Sequence, residues 1–179
     1  FQWSCHSEDQ DGKLSHREFL DTEGQAPMRR FAETLIEALG QSGPILVYSN
    51  YERTVLYKLR KRFPDLEDQL VALITRLFDL HPVAKDYYYH PAMMGSWSLK
   101  GVLPTIAPEL DYASLGVVRD GGGAQGAYRD IISPRTDELR RLALIADLRA
   151  YCYRDTLALV AIARFFEGRR QIGGHPHAR

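Results

Sequence analysis

The run Pro44-Ile-Leu-Val-Tyr-Ser-Asn50 constrains this chain more than any other stretch. It is short, apolar and rich in β-branched and aromatic side chains, and it lies between two segments of helical periodicity. Before it, Phe31, Leu35, Ile36 and Leu39 recur at helical spacing over MRRFAETLIEALG, where glycines supply the stop. After it, YERTVLYKLRKRF reads as a helix stopped by Pro64. LEDQLVALITRLF reads as a second helix, and FDL closes it or begins a short strand. A short apolar strand between helices is covered on both faces, the pattern of a parallel strand in an α/β layer.

The flanking segments fit that frame. FQWSCHS and KLSHREFL each alternate in part and are separated by the turn pair Asp11-Gly12, which predicts a hairpin over residues 1–20, followed by a loop over DTEGQAP. From 81 to 125 the pattern loosens around a helix over SLKGVLPTIA, which Pro104 shortens or bends. Gly121 to Gly123 read as a flexible turn, and residues 137–167 as one or two long helices. The glycine run lacks the strand, the helix and the Lys-Ser/Thr ending of a phosphate loop. The chain therefore divides into one α/β domain over 1–167 and a polar, Gly-rich tail over 168–179 that should fray.

Composition narrows the function classes. Hydrophobic residues make up 45% of 179, enough for one well-filled core. Lys plus Arg and Asp plus Glu are 23 each, so no global field favours nucleic acid, and only a local basic groove is left open. The nearest basic stretch, YKLRKRF, reads first as a solvated helix face. Cys5 and Cys152 form neither a zinc spacing nor a disulfide framework, and Cys152 suits a buried thiol. No apolar run reaches membrane length and no signal peptide opens the chain, so a cytoplasmic protein with no membrane partner is the expectation. Phe1 is not an initiating methionine and reads as strand at once, which suggests a chain cut from a longer parent with further domains.

Three acids stand out. Asp155 interrupts an apolar helix, and Tyr151 lies four residues before it, on the same helical face. The pair can be presented into a cleft; equally, Asp155 can pair with an arginine while Tyr151 packs in the core. Glu52 follows the buried strand through Asn50 and Tyr51, and ligands of open α/β sheets bind beyond the carboxyl ends of strands. Glu52 and Asn50 suit a helix start equally well. Asp79, before His81-Pro82, is either a cap or an accessory acid. Tyr87, Tyr88, Tyr89, Trp97 and Lys100 are of a kind that stacks on bases and contacts phosphate; they also suit a loop pinned by its own aromatics. His81 and His90, nine apart, give a weak hint of metal and read first as loop histidines.

VYSNYERTVL, LFDL, YYYHPAMMGSWSLKGVLPTIAPELDY and YCYRDTLAL together resemble an uncharacterised bacterial family grouped with the ribonuclease-H-like 3′–5′ exonucleases. The resemblance covers nearly all of 1–167 and is most specific over YYHPAMMGSWSLK. It implies a ribonuclease-H-like mixed sheet flanked by helices, with its first strand absent from this chain. It also implies metal-dependent hydrolysis of a single-stranded DNA or RNA end, with Mg²⁺ or Mn²⁺ as cofactor. Tyr151 and Asp155 then match the subclass with a tyrosine four before the last acid. Glu52 stands for the second acidic motif, and Asp79 is an accessory ligand. Asn50, Trp97, Ser98 and Lys100 become substrate contacts.

In such enzymes carboxylates hold two ions roughly 3.5–4 Å apart that polarise the attacking water and steady the leaving oxygen. The first motif, Asp-x-Glu at a strand end, does not occur before residue 20, where Glu8, Asp9 and Asp11 belong to a hairpin turn. The chain by itself is therefore expected to be inactive. Two alternatives stand beside this: a non-catalytic nucleic-acid-binding or structural module on the same fold, and a phosphoesterase acting on a small nucleotide.

Overall fold

The computed structural model describes residues 1–23, 28–110, 112, 115–118 and 120–169. The tail beyond 169 and most of the DTEGQAP loop lie outside these residues. The hairpin forms as the alternation predicts: β1 (Gln2–Glu8) pairs antiparallel with β2 (Leu14–Leu20), Gln2 opposite Leu20 and Glu8 opposite Leu14. Asp9 organises the turn by accepting from the amides of Asp11 and Lys13, and Gly12 supplies the positive φ of 78°.

The period-two geometry of β1 sorts its side chains between two helices. Trp3 and Cys5 join the core with Phe31 of α1 (Met28–Leu39), where the Trp3 indole donates to Thr34 Oγ1 at 3.1 Å. Gln2, Ser4, His6 and Glu8 face α7 (Glu138–Phe166), meeting Leu148, Thr156 and Arg164. The hairpin is thus sandwiched between α1 and α7.

The apolar run over 44–50 contains β3 (Ile45–Val47), and FDL does form part of a strand, β4 (Leu77–Asp79). The two are parallel, Ile45 opposite Leu77 and Val47 opposite Asp79. Between them run α2 (Tyr51–Arg62), a tight turn starting at Pro64, and α3 (Glu67–Arg76), the long crossover that parallel pairing requires. Leu56, Leu59, Leu70, Leu73 and Ile74 seal this crossover onto Trp3 and Phe31. Helix α4 (Leu80–Tyr87) starts directly after β4, where looseness was expected.

Helix α5 (Leu99–Ile106) contains Pro104 and ends two residues later, so the proline shortens it as anticipated. Gly101 in its first turn is required by space, since a Cβ there would lie 2.5 Å from the Ser96 carbonyl oxygen. Two readings are corrected. Gly121 to Gly123 are not a flexible turn but the first turn of α6 (Gly121–Ile131), which Asp120 starts by accepting from the Gly123 amide at 2.7 Å. The mixed sheet is not one sheet: among the described residues the strands form two separate two-stranded sheets, β1-β2 and β3-β4. The class is mixed α/β and mostly helical. Within 137–167 a single helix forms, α7, capped by Asp137 and Glu167, the spine against which α5, α6 and β1 pack. No helix of the described residues is long and apolar enough to cross a membrane.

Candidate functional site

Asp155 lies half-buried near the middle of α7, because the helix packs Leu148, Leu157 and Ala158 inward on either side of it. Tyr112 donates to Asp155 Oδ1 at 2.6 Å, and Tyr151, one turn earlier and buried, donates to the same carboxylate. The Lys100 ammonium sits 5.0 Å from the Tyr112 ring centroid and 5.1 Å from that of Tyr151. Burial raises the Asp155 pKa, partly offset by the two tyrosine hydrogen bonds and the Lys100 charge. Both hydroxyls are pushed well up, by burial first and then by the Asp155 charge, so neither tyrosine serves as a base near neutrality. Burial also lifts the neighbouring Cys152 thiol to about 12, which makes it an inert packing group.

The other two acids stand at the carboxyl ends of the parallel strands. Glu52 in the first turn of α2 accepts from Ser49 Oγ at 3.1 Å. Its surface stays open to solvent, yet the protein around its carboxyl raises its pKa, helped by the charges of Asp79 and Asp155. Asp79 accepts from the His81 amide at 2.9 Å and so caps α4, the simpler of its two expected roles. Its charge also adds to the burial that pushes Tyr48 to about 12. Glu52 thus feels the charges of both Asp79 and Asp155. Even so, among the described residues no three His, Cys, Asp or Glu side chains converge as a metal-holding group.

The expected substrate contacts divide. Asn50 occupies the N-cap position of α2, but its side chain makes no capping bond. Ser98 caps α5 by accepting from the Gly101 amide at 3.2 Å. Trp97 is pinned, donating to the Tyr88 carbonyl at 2.8 Å while its own carbonyl accepts from Tyr48. Tyr88 points inward to Thr105, whereas Tyr87 and Tyr89 are exposed. Of the aromatic and basic group, Lys100 alone reaches the rings around Asp155. Tyr112 was missed by sequence reasoning, because it lies 43 residues from Asp155 in irregular chain with no periodicity to mark it.

A second polar group, also absent from the sequence reading, lies between the hairpin and α7. His6 Nδ1 is 2.8 Å from Thr156 Oγ1, Ser4 Oγ is 2.8 Å from His16 Nε2, and both rings sit edge-on to Tyr153. His6 Nε2 is buried with no partner among the described residues. Burial, and then the His16 charge, lowers the His6 pKa to about 4; burial lowers that of His16 as well.

The unfolded chain takes up these protons near the ordinary histidine value of about 6.5, and the folded chain resists them. Stability is therefore full above that value and falls as pH drops toward about 4, where folded His6 titrates. The thermal midpoint should decline over this window, and His6→Gln should flatten the decline. A midpoint that is flat in the parent chain would show that the ring is not held neutral.

Residues 1–98, more than half of the chain, match the family described as Domain of unknown function (DUF2779), and the chain belongs to that family. The match includes Asn50, Glu52, Asp79, Trp97 and Ser98; Lys100, Tyr112, Tyr151 and Asp155 lie beyond it. The family description carries no activity, and nothing in the match links it to ribonuclease-H-like exonucleases. No curated protein and no solved structure matches the chain.

Proposed function

We propose that this chain carries part of a phosphodiester-hydrolysing site of the ribonuclease-H-like 3′–5′ exonuclease kind, acting on a single-stranded DNA or RNA end. The observation that carries the reading is the placing of Glu52 and Asp79 at the carboxyl ends of the two parallel strands, where burial first, and then the charges of Asp79 and Asp155, raise the Glu52 pKa. Carboxylates close enough to feel one another's charge favour a cation. In charge the site therefore suits Mg²⁺ or Mn²⁺; in number it falls short, since Asp79 is engaged as a cap and Asp155 holds two tyrosines. On this reading, water completes the coordination of an ion held by one or two carboxylates, Tyr151 orients Asp155, and Lys100 offers a cation to a phosphate.

The second reading is a non-catalytic nucleic-acid-binding or structural module. It is favoured by the purely structural engagement of Ser98, Trp97 and Asp79. Calorimetric titration of Mn²⁺ separates the two. Saturable binding that Asp155→Ala abolishes and Glu52→Gln weakens is the expected result for the site. Absence of binding, or binding unchanged by Asp155→Ala, overturns the metal-dependent reading. Affinity for a single-stranded oligonucleotide that falls steeply with salt would then support the binding module.

A further inference from the structure

A cavity of about 850 Å³ separates the two small sheets. The whole of β1 lines one side of it and the whole of β3 the other. Each of these strands has one edge bonded to its hairpin or parallel partner, and among the described residues the other edge carries no strand. For β1 the free groups can be named. The Asp21 amide donates to the Phe1 carbonyl and the Asp9 amide to the Lys13 carbonyl, which makes the odd residues of β1 the hydrogen-bonded ones. The backbone N–H and C=O groups of Gln2, Ser4, His6 and Glu8 therefore point the other way, toward the cavity.

The faces of the cavity are covered as well as its edges. Phe31, Leu35 and Leu39 of α1 close one side, and Leu159, Val160 and Ala163 of α7 close the other. The directions of the edges also agree. β1 runs with α7, since Gln2 meets the Leu148 carbonyl, His6 meets Thr156 and Glu8 meets Arg164. β3 runs against α7: Leu46 packs in the cluster of Ile162, while Glu52, beyond the end of β3, feels Asp155 roughly two turns nearer the start of α7. One strand can therefore lie antiparallel to β1 and parallel to β3 at the same time.

We propose that this slot takes an extended polypeptide segment of about seven residues, apolar on both faces, which would join β1-β2 and β3-β4 into one five-stranded sheet by backbone hydrogen bonds. Two strand edges that carry no further strand among the described residues select a backbone, which a small apolar ligand could not satisfy. Helices on both faces select a continuous Val/Ile/Leu-type strand over an alternating one. A second copy does not suit, because among the described residues the one strand with this pattern, Ile45–Val47, is already paired with β4. The inference needs neither metal nor substrate, so it stands or falls apart from the proposed activity.

The test joins a seven-residue Val/Ile strand to the full chain through an Asn-Gly turn ahead of Phe1, from where it can run back along β1. Two controls carry a Gly/Ser extension of equal length and the same apolar strand interrupted by a central proline. Amide hydrogen exchange is read at Ser4, His6 and Glu8. The expected result is slowing of these amides by at least about tenfold with the intact strand and by neither control. Exchange equal to the Gly/Ser control overturns the proposal. So does equal protection by the proline-bearing strand, which would mean greasy filling without pairing, and so does full protection in the unextended chain.

Discussion

Ile162→Ala is expected to cost about 2–5 kcal/mol of stability, which for a chain of this size lowers the thermal midpoint by roughly 5–15 °C. Ile162 is 0% exposed and packs with Leu80 of α4, Met93 of the following turn, Val102 of α5 and Leu46 of β3. It is the point at which the parallel pair is fastened to the long helix. Truncation leaves a cavity that several separate elements would have to collapse together to fill, and the cost rises with the volume that stays open. Ile162→Val, which loses one methylene, should cost about 0.5–1.5 kcal/mol. Urea unfolding of the two variants checks both figures. A loss below 1 kcal/mol for alanine would mean that the β3-β4 unit is not docked through this residue.

Arg76→Met should cost about 2–3 kcal/mol and loosen β3 before any other element. The Arg76 guanidinium closes four carbonyls at the end of α1 and in the loop that leads into β3. It reaches Gly43 at 2.7 Å, Gly40 at 2.6 Å, Ser42 at 2.6 Å and Leu39 at 2.9 Å. The loss is smaller than the sum of four charged bonds because three of these carbonyls are exposed and water can replace the donor. Methionine keeps the apolar stem, so the change isolates the guanidinium. Arg76→Lys should recover little, since an ammonium cannot span carbonyls that a planar fork bridges. Amide exchange across Ile45–Val47 should quicken in both variants. Unchanged exchange there would assign the clamp to the end of α1 alone.

These two residues illustrate what the sequence hid. Arg76 reads as an ordinary basic residue in the last turn of a helix, and only the return of the chain over the crossover brings the end of α1 within its reach. Ile162 reads as one apolar residue among many in LALVAIARFF. The hairpin, by contrast, was legible from its alternation and from Asp11-Gly12. So were α1, α2, α3 and α7, from spacing and stop signals. Gly121 to Gly123 were misread, because a helix begun by a cap, here Asp120, needs no early apolar residue to announce it.

The candidate site divides in the same way. Tyr151 and Asp155 were fixed as a pair by their four-residue spacing, since the helix itself sets that neighbourhood. Tyr112 and Lys100 come to Asp155 from other segments, and no local rule couples them to it. What the sequence alone determined is therefore each element whose geometry repeats along the chain: the period of two in the hairpin, the period of 3.6 in the helices, and the short apolar strand between them. The tertiary structure alone decided that the strands form two sheets facing across a cavity, and that Glu52 feels the charges of Asp79 and Asp155 from two other elements. Those outcomes rest on contacts between distant residues, where packing and electrostatics act through space and leave no period in the sequence to read.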